Sequence, residues 1–155
     1  MSTRTLLVAA ALLLLTIAYL KPGGSASKGA YAADLARTPG VVNPSVTQTN
    51  IADTICKHGW TRTVRPPTDY TNALKLKQMR EYRVGGSPSQ YQEDHLISLE
   101  LGGHPTDARN LWPEPYPRAA EVDTIENELN AQVCSGDLSL DEAQRKESEL
   151  KHSDG

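Results

Sequence analysis

The chain has 155 residues, of which 23% are charged, and a formal net charge of −3 at pH 7. This length supports one domain, and the slightly acidic balance argues against a protein whose whole surface attracts nucleic acid. The chain contains no phenylalanine. Because a small domain with few large apolar residues buries little surface, a covalent cross-link would help to stabilise it.

The first part of the chain indicates export. Arg4 precedes an uncharged run from Leu6 to Leu20, which is shorter than the roughly 20 apolar residues that span a bilayer and suits the core of a signal peptide. Ala30-Tyr31-Ala32 has the small-x-small pattern that signal peptidase recognises, with Ser25-Ala26-Ser27 as a second option. We therefore interpret residues 1–33 as a signal peptide, with an uncleaved N-terminal anchor as the alternative. The mature protein is then secreted or periplasmic, without stable membrane association.

The next segment separates this leader from the domain. Residues 34–50 carry prolines, glycine and asparagine among small polar residues, so they are predicted to be a linker. The domain is expected to occupy residues 51–150. Within it, the mixture of β-branched and aromatic residues in 54–64 predicts a short strand or extended segment, with Trp60 in the core.

Only two cysteines are present, Cys56 and Cys134. An exported chain with an even number of cysteines most simply pairs them, and so long a loop would gain roughly 4 kcal/mol from closure. A two-cysteine zinc site is poorly supported, because neither cysteine has a second cysteine or a spaced histidine pair beside it. One disulfide is the prediction.

A helix is predicted after Pro66-Pro67, capped by Thr68 or Thr71 and continuing to Tyr82. Basic residues outnumber acidic ones in this region, whereas acidic residues dominate from Glu114 onward. The sequence therefore predicts a surface that binds nucleic acid, and the alternative is a solvated basic face. The residues expected on this surface are Arg62, Arg65, Lys75 and Arg80.

Acid, imidazole, glycine pair and amide follow one another at chemically meaningful spacing only in the stretch YQEDHLISLELGGHPTDARNLWPEP, residues 91–115. Asp94 and His95 end one strand-like run, Gly102-Gly103 predicts a turn, and Asn110 opens a second strand-like run. A strand places Asp94 and His95 on opposite faces, so one can bind a metal ion while the other addresses water.

Two helices are predicted after this stretch. The first begins near Arg118, with an apolar stripe at steps of three and four formed by Val122, Ile125, Leu129 and Val133. Asp123, Glu126 and Asn130 flank that stripe and can face the site. Ser139 to Glu142 is a capping box, so the last helix starts at Leu140 and is expected to fray before His152.

The motif DHLISLELGG followed by NLWPEP resembles the HNH, or His-Me finger, endonuclease superfamily, and more narrowly a group of small secreted bacterial HNH-like proteins. The resemblance runs from about Ile51 to Gln144. It implies an α+β fold: a small single domain with a ββα-metal core and flanking helices. It also implies a divalent metal ion (Mg²⁺, Mn²⁺ or Zn²⁺) with Asp94 as a ligand, His95 as general base and Asn110 as the residue that orients the imidazole.

A further metal ligand is expected from the following helix, where Asp123 is the first choice and Glu126 the second, because both flank the buried stripe. The resemblance implies a metal-dependent endonuclease that hydrolyses phosphodiester bonds in DNA or RNA. With the predicted signal peptide, we expect this enzyme to be exported, and we expect a monomer. The alternative is a catalytically inactive extracytoplasmic interaction protein on the same scaffold. His58 and His104 are interpreted as exposed loop residues, and Glu93 and Glu114 are left open as outer ligands or solvated groups.

Overall fold

The computed structural model describes residues 32–116 and 118–153, so nearly all of the predicted signal peptide lies outside the described residues. The described part forms one small α+β domain, as predicted. In chain order its helices and strands are α1 (Trp60–Val64), α2 (Thr68–Glu81), β1 (Tyr91–His95), β2 (Leu111–Pro115), α3 (Arg118–Ser135) and α4 (Leu140–Ser153). Among the helices of these ranges, none is long and apolar enough to cross a membrane.

The two strands form an antiparallel hairpin in which Tyr91 pairs with Pro115 and His95 with Leu111. The chain between them turns at the predicted glycine pair. Gly102 has a φ of 74°, which favours glycine, and an added Cβ at Gly103 would lie 1.7 Å from the carbonyl oxygen of Ile97. The pair therefore lets the connecting segment fold back tightly against itself.

Residues 34–47 are irregular, as their composition predicted, and residues 48–50 belong to a short 3-10 helix, Gln48–Asp53. The segment is not a free linker. Thr38 and Val46 are buried, and Val42 forms an isolated β-bridge with Gly103. The amide of Ala33, just before this segment, donates to the carbonyl of Lys151 at 2.8 Å. Small polar residues predict irregular backbone but not whether it is buried, so the boundary at residue 51 cuts through the folded domain.

The strand predicted over residues 54–64 is wrong. Gly59 has a φ of 79° and redirects the chain, after which residues Trp60–Val64 form the short helix α1. Local β propensity is outweighed here by packing, because Cys56 and Trp60 are partly buried against the main core.

The other helices agree with their sequence signals. Helix α2 follows the proline pair, although Pro67 is its N-cap and neither predicted threonine caps it. Helix α4 starts at Leu140 as predicted, and the amide of Glu142 donates to the Ser139 hydroxyl at 3.3 Å. It continues to Ser153, so the fraying expected before His152 does not occur.

The predicted disulfide is present, with the Cα atoms of Cys56 and Cys134 5.6 Å apart. It joins the turn before α1 to the last turn of α3. Beside it lies the main hydrophobic cluster, formed by Val46, Ile55, Ile97, Leu101, Leu129, Val133, Leu140 and Ala143. A smaller cluster contains Ala33, Leu96 and Trp112, with Tyr82 packed against it.

Candidate functional site

A cavity of about 350 Å³ opens beside the hairpin, between β1, α1 and α3. The structure brings five of the predicted site residues to its wall: Asp94 and His95 from β1, Asp123 and Glu126 from α3, and Arg65 from the end of α1. Glu100, Ser98 and Asn127 also line it. The flank of α3 chosen from helical periodicity is therefore the one that reaches the cavity.

The His95 imidazole is held in one tautomer. Its Nε2 lies 3.0 Å from the carbonyl oxygen of Pro105, and because a carbonyl only accepts hydrogen bonds, Nε2 carries the proton and Nδ1 keeps its lone pair. The ring is 6% exposed, and burial lowers the pKa of His95 below its usual range. A neutral imidazole with a fixed tautomer is what a general base requires.

Asn110 does not orient that imidazole. Its amide is fully buried and hydrogen-bonds both backbone groups of Ile97, the amide of Val41 and the carbonyl of His104. None of these bonds reaches His95, whose orienting partner is the carbonyl of Pro105. Asn110 instead holds the connecting segment that carries Pro105, so it acts on the site only through the backbone.

The residue that sequence reasoning missed is Lys151. Its Nζ lies 2.8 Å from Asp94 Oδ2, 2.6 Å from the His95 carbonyl oxygen and 2.5 Å from Glu126 Oε1. The side chain is completely buried. A signal was present in the sequence, since the buried residues of α4 recur at steps of three and four: Leu140, Ala143, Glu147 and Lys151.

The charges in this buried group compensate one another. Burial opposes ionisation of Asp94, but the Lys151 ammonium outweighs burial and holds the pKa of Asp94 below its usual range. Burial likewise opposes the ammonium, and the charges of Asp94 and Glu126 reverse that effect, so the pKa of Lys151 is raised well above its ordinary value. For Glu126 burial dominates and raises the pKa. Lys151 and Asp94 are therefore an ion pair at neutral pH.

Two further carboxyl groups of the hairpin are neutral at pH 7. Burial, reinforced by the nearby charge of Asp94, raises the pKa of Glu114 to about 9. Burial raises the pKa of Glu93 to about 8 despite the nearby Lys75 charge. Both carboxyls are buried. The protonated Glu114 carboxyl donates a hydrogen bond to the Asp94 carboxylate, whereas the oxygens of Glu93 have no hydrogen-bond partner in the described part of the chain. A metal ion would have to displace the proton of either carboxyl before binding to it.

The carboxylates expected to bind a metal ion, those of Asp94, Asp123 and Glu126, line the same cavity. Two of them, however, already bind the Lys151 ammonium. In residues 32–116 and 118–153 no three His, Cys, Asp or Glu side chains are arranged to hold a metal ion. The oxygens of Asp94 and Glu126 surround an ammonium and do not fit a divalent ion in this arrangement.

The predicted basic surface is only partly available to a ligand. Arg62, Arg65 and Arg80 are exposed, and Arg65 lies at the cavity. Lys75 is half-buried because its Nζ donates to the carbonyl of Tyr91 at 2.9 Å. Arg65 is therefore the basic residue best placed to meet a phosphate at the site.

The remaining histidines lie outside the cavity. His58 is exposed, as predicted, whereas His104 is half-buried and shapes its turn by accepting hydrogen bonds from the amides of Thr106 and Asp107. His95 is thus the imidazole that the fold brings to the cavity. Comparison of the chain with protein-family models, with curated proteins and with solved structures finds no match.

Proposed function

We propose that this protein is an exported endonuclease that hydrolyses phosphodiester bonds in DNA or RNA on a His-Me finger scaffold, with His95 as general base. The observation that carries the proposal is the neutral His95 imidazole, fixed by the Pro105 carbonyl at a cavity that Arg65 also lines. A ββα core made of the hairpin and α3 is part of the proposal, and it is supported by the order of the elements, since α3 directly follows β2 in the chain. Export is supported by the Cys56–Cys134 disulfide, which persists in oxidising compartments.

In this mechanism the chain's own residues activate water and meet the phosphate. Nδ1 of His95 accepts a proton from a water molecule, and the resulting hydroxide attacks phosphorus. The Arg65 guanidinium meets the phosphate oxygens, where negative charge develops. Glu100 and Asp123 lie on the same wall, and burial raises the pKa of each, which favours the protonated form that a general acid needs; either is proposed to give its proton to the leaving oxygen. No step uses a metal ion.

The test is cleavage of one DNA and one RNA substrate by wild-type protein and the His95→Ala variant. Loss of a positioned base should reduce the single-turnover rate by about 10²-fold to 10⁴-fold, while circular dichroism shows an unchanged fold. His58→Ala is the matched control, because His58 is exposed and lies outside the cavity. Equal rates for wild type and His95→Ala would remove His95 from the mechanism.

The second candidate is a catalytically inactive extracytoplasmic interaction protein on the same scaffold. One observation favours it: a buried lysine neutralises the acidic residues that the motif assigns to a metal ion. The same assay separates the candidates. If wild-type protein cleaves neither substrate under any tested condition, the nuclease function is refuted and the interaction protein is the remaining candidate.

A further inference from the structure

We infer that Lys151 is the built-in cation of this site, occupying with its ammonium the place between Asp94 and Glu126 where the motif calls for a divalent metal ion. Lys151 is a positioning residue, since it holds Asp94 and the backbone of His95 rather than touching a substrate. The inference rests on the proposed function only for its effect on cleavage. Its effect on metal binding is independent of any activity.

The surroundings of the Lys151 ammonium resemble an ion-binding shell. An ammonium has three protons to donate, and three oxygens lie within hydrogen-bond distance, those of Asp94, Glu126 and the His95 carbonyl. A fourth oxygen, Glu147 Oε1, lies 3.4 Å away. Every donor is therefore satisfied by oxygen, in a pocket from which solvent is excluded.

The helix that carries Lys151 is fixed on several sides. Both carboxylate oxygens of Glu147 accept from the amide of Ser98, at 2.9 and 3.0 Å. The carbonyl of Lys151 accepts from the amide of Ala33 at 2.8 Å, and Nε2 of His152 lies 2.9 Å from the carbonyl oxygen of Thr38. The ammonium is thus held in place by the fold and is not the end of a mobile surface side chain.

A divalent ion bound to the same oxygens would lie within a few ångströms of the ammonium, in an interior where like charges repel strongly. Asp94 and Glu126 can therefore bind either the lysine ammonium or a metal ion, but not both at once. It follows that the wild-type protein should take up no divalent ion at this site, and that chelators should leave its cleavage rate unchanged.

The test compares wild type with Lys151→Met, in the full-length chain expressed in an exporting host and stripped with EDTA. Calorimetric titration with Mg²⁺ and with Mn²⁺ should detect no site in wild type and one in the variant. The variant's unfolding midpoint should also rise by roughly 5–10 °C when Mn²⁺ exceeds its Kd about 100-fold. A merely structural lysine would not produce this gain of binding.

Two control variants frame the result. Lys146→Met removes an exposed lysine from the same helix and should behave as wild type. Adding Asp94→Asn to Lys151→Met should abolish the new metal site. If Lys151→Met does not fold alone, Mn²⁺ should restore its native circular dichroism, because the ion replaces the missing charge; failure to restore it would count against the inference.

Other outcomes overturn the inference directly. They are stoichiometric Mn²⁺ binding by wild type that Asp94→Asn abolishes, no gain of binding by a folded Lys151→Met, or wild-type cleavage that EDTA stops. The last outcome would leave the proposed nuclease function standing. Conversely, absence of any cleavage by wild type would refute the nuclease function, while the metal titrations would still decide the role of Lys151.

Discussion

At the scale of single residues, Glu93 links the hairpin to the pH dependence of stability. Its ordinary pKa is 4.5, and in the fold burial raises the pKa to about 8. The folded protein therefore keeps a proton that the unfolded chain releases. The stabilising effect is complete below about pH 4.5 and is lost as the pH rises to about 8.

Glu93→Gln should remove this pH dependence, because glutamine keeps the shape of the side chain and cannot ionise. We expect the variant to be more stable than wild type by about 3–5 kcal/mol at pH 9, the equivalent of the shift in pKa, and to lie within about 1 kcal/mol of it at pH 5. Urea unfolding at both pH values measures the difference. Glu128→Gln, at an exposed position of α3, is the control and should change neither value. An equal gain at both pH values would contradict the assignment to ionisation.

The site residues differ in how far the sequence could predict them. Asp94 and His95 could be predicted because they are adjacent at the end of one strand. Asp123 and Glu126 could be predicted because the periodicity of a helix is a local pattern. The bond of Asn110 to Val41 and those of Lys151 to Asp94 and the His95 carbonyl join residues far apart in the chain, and no local pattern specifies them. Lys151 is separated from Asp94 by 57 positions, so only the packed fold shows that the two meet.

At the scale of elements, the disulfide connects α3, a helix that the sequence predicted, to the turn before α1, a helix that it did not predict. Helix α3 has an apolar periodicity that marks it in the sequence, whereas α1 is too short to show one. The bond between Cys56 and Cys134 ties the turn before α1 to the end of α3 across a sequence separation of 78. It thereby keeps Arg65, after α1, close to the carboxylates of α3.

Replacing both cysteines with serine should lower the free energy of unfolding by about 2–5 kcal/mol, because the unfolded chain regains the entropy of a long open loop. Guanidinium unfolding of wild type and variant measures the loss. Reductant should destabilise wild type and leave the variant unchanged. A free-thiol assay on unfolded, unreduced wild type should read near zero, and two reactive thiols per chain would refute the bond in solution.

At the scale of the whole molecule, charge is distributed unevenly although the net charge is only −3. Exposed arginines lie on and after α1, while four of the eleven residues that line the cavity beside them are acidic. A polyanion is therefore expected to approach from the arginine side. Composition alone could not predict this, because it averages over both surfaces.

Arg65→Gln should weaken nucleic-acid binding without changing sequence preference. We expect a shallower slope when the logarithm of the binding constant is plotted against the logarithm of salt concentration. The slope should fall by about 0.9, the contribution of one phosphate contact. Fluorescence anisotropy at several salt concentrations measures this slope. Arg145→Gln is the matched control, since Arg145 is paired with Glu142 and Glu149 on α4. An identical slope for wild type and Arg65→Gln would exclude the contact.

The hydrogen bond between Ala33 and Lys151 has a consequence for how the protein is made. Because a polypeptide is synthesised from its N-terminus, Asp94 and Glu126 appear before the lysine that neutralises them. Until the last turn of α4 is present, both acids lack the ammonium that pairs with them. The amide of Ala33 also lacks the Lys151 carbonyl to which it donates. Assembly of the site is therefore postponed until Lys151 has been synthesised, and a chain interrupted before Lys151 would carry the cavity residues without their finished arrangement.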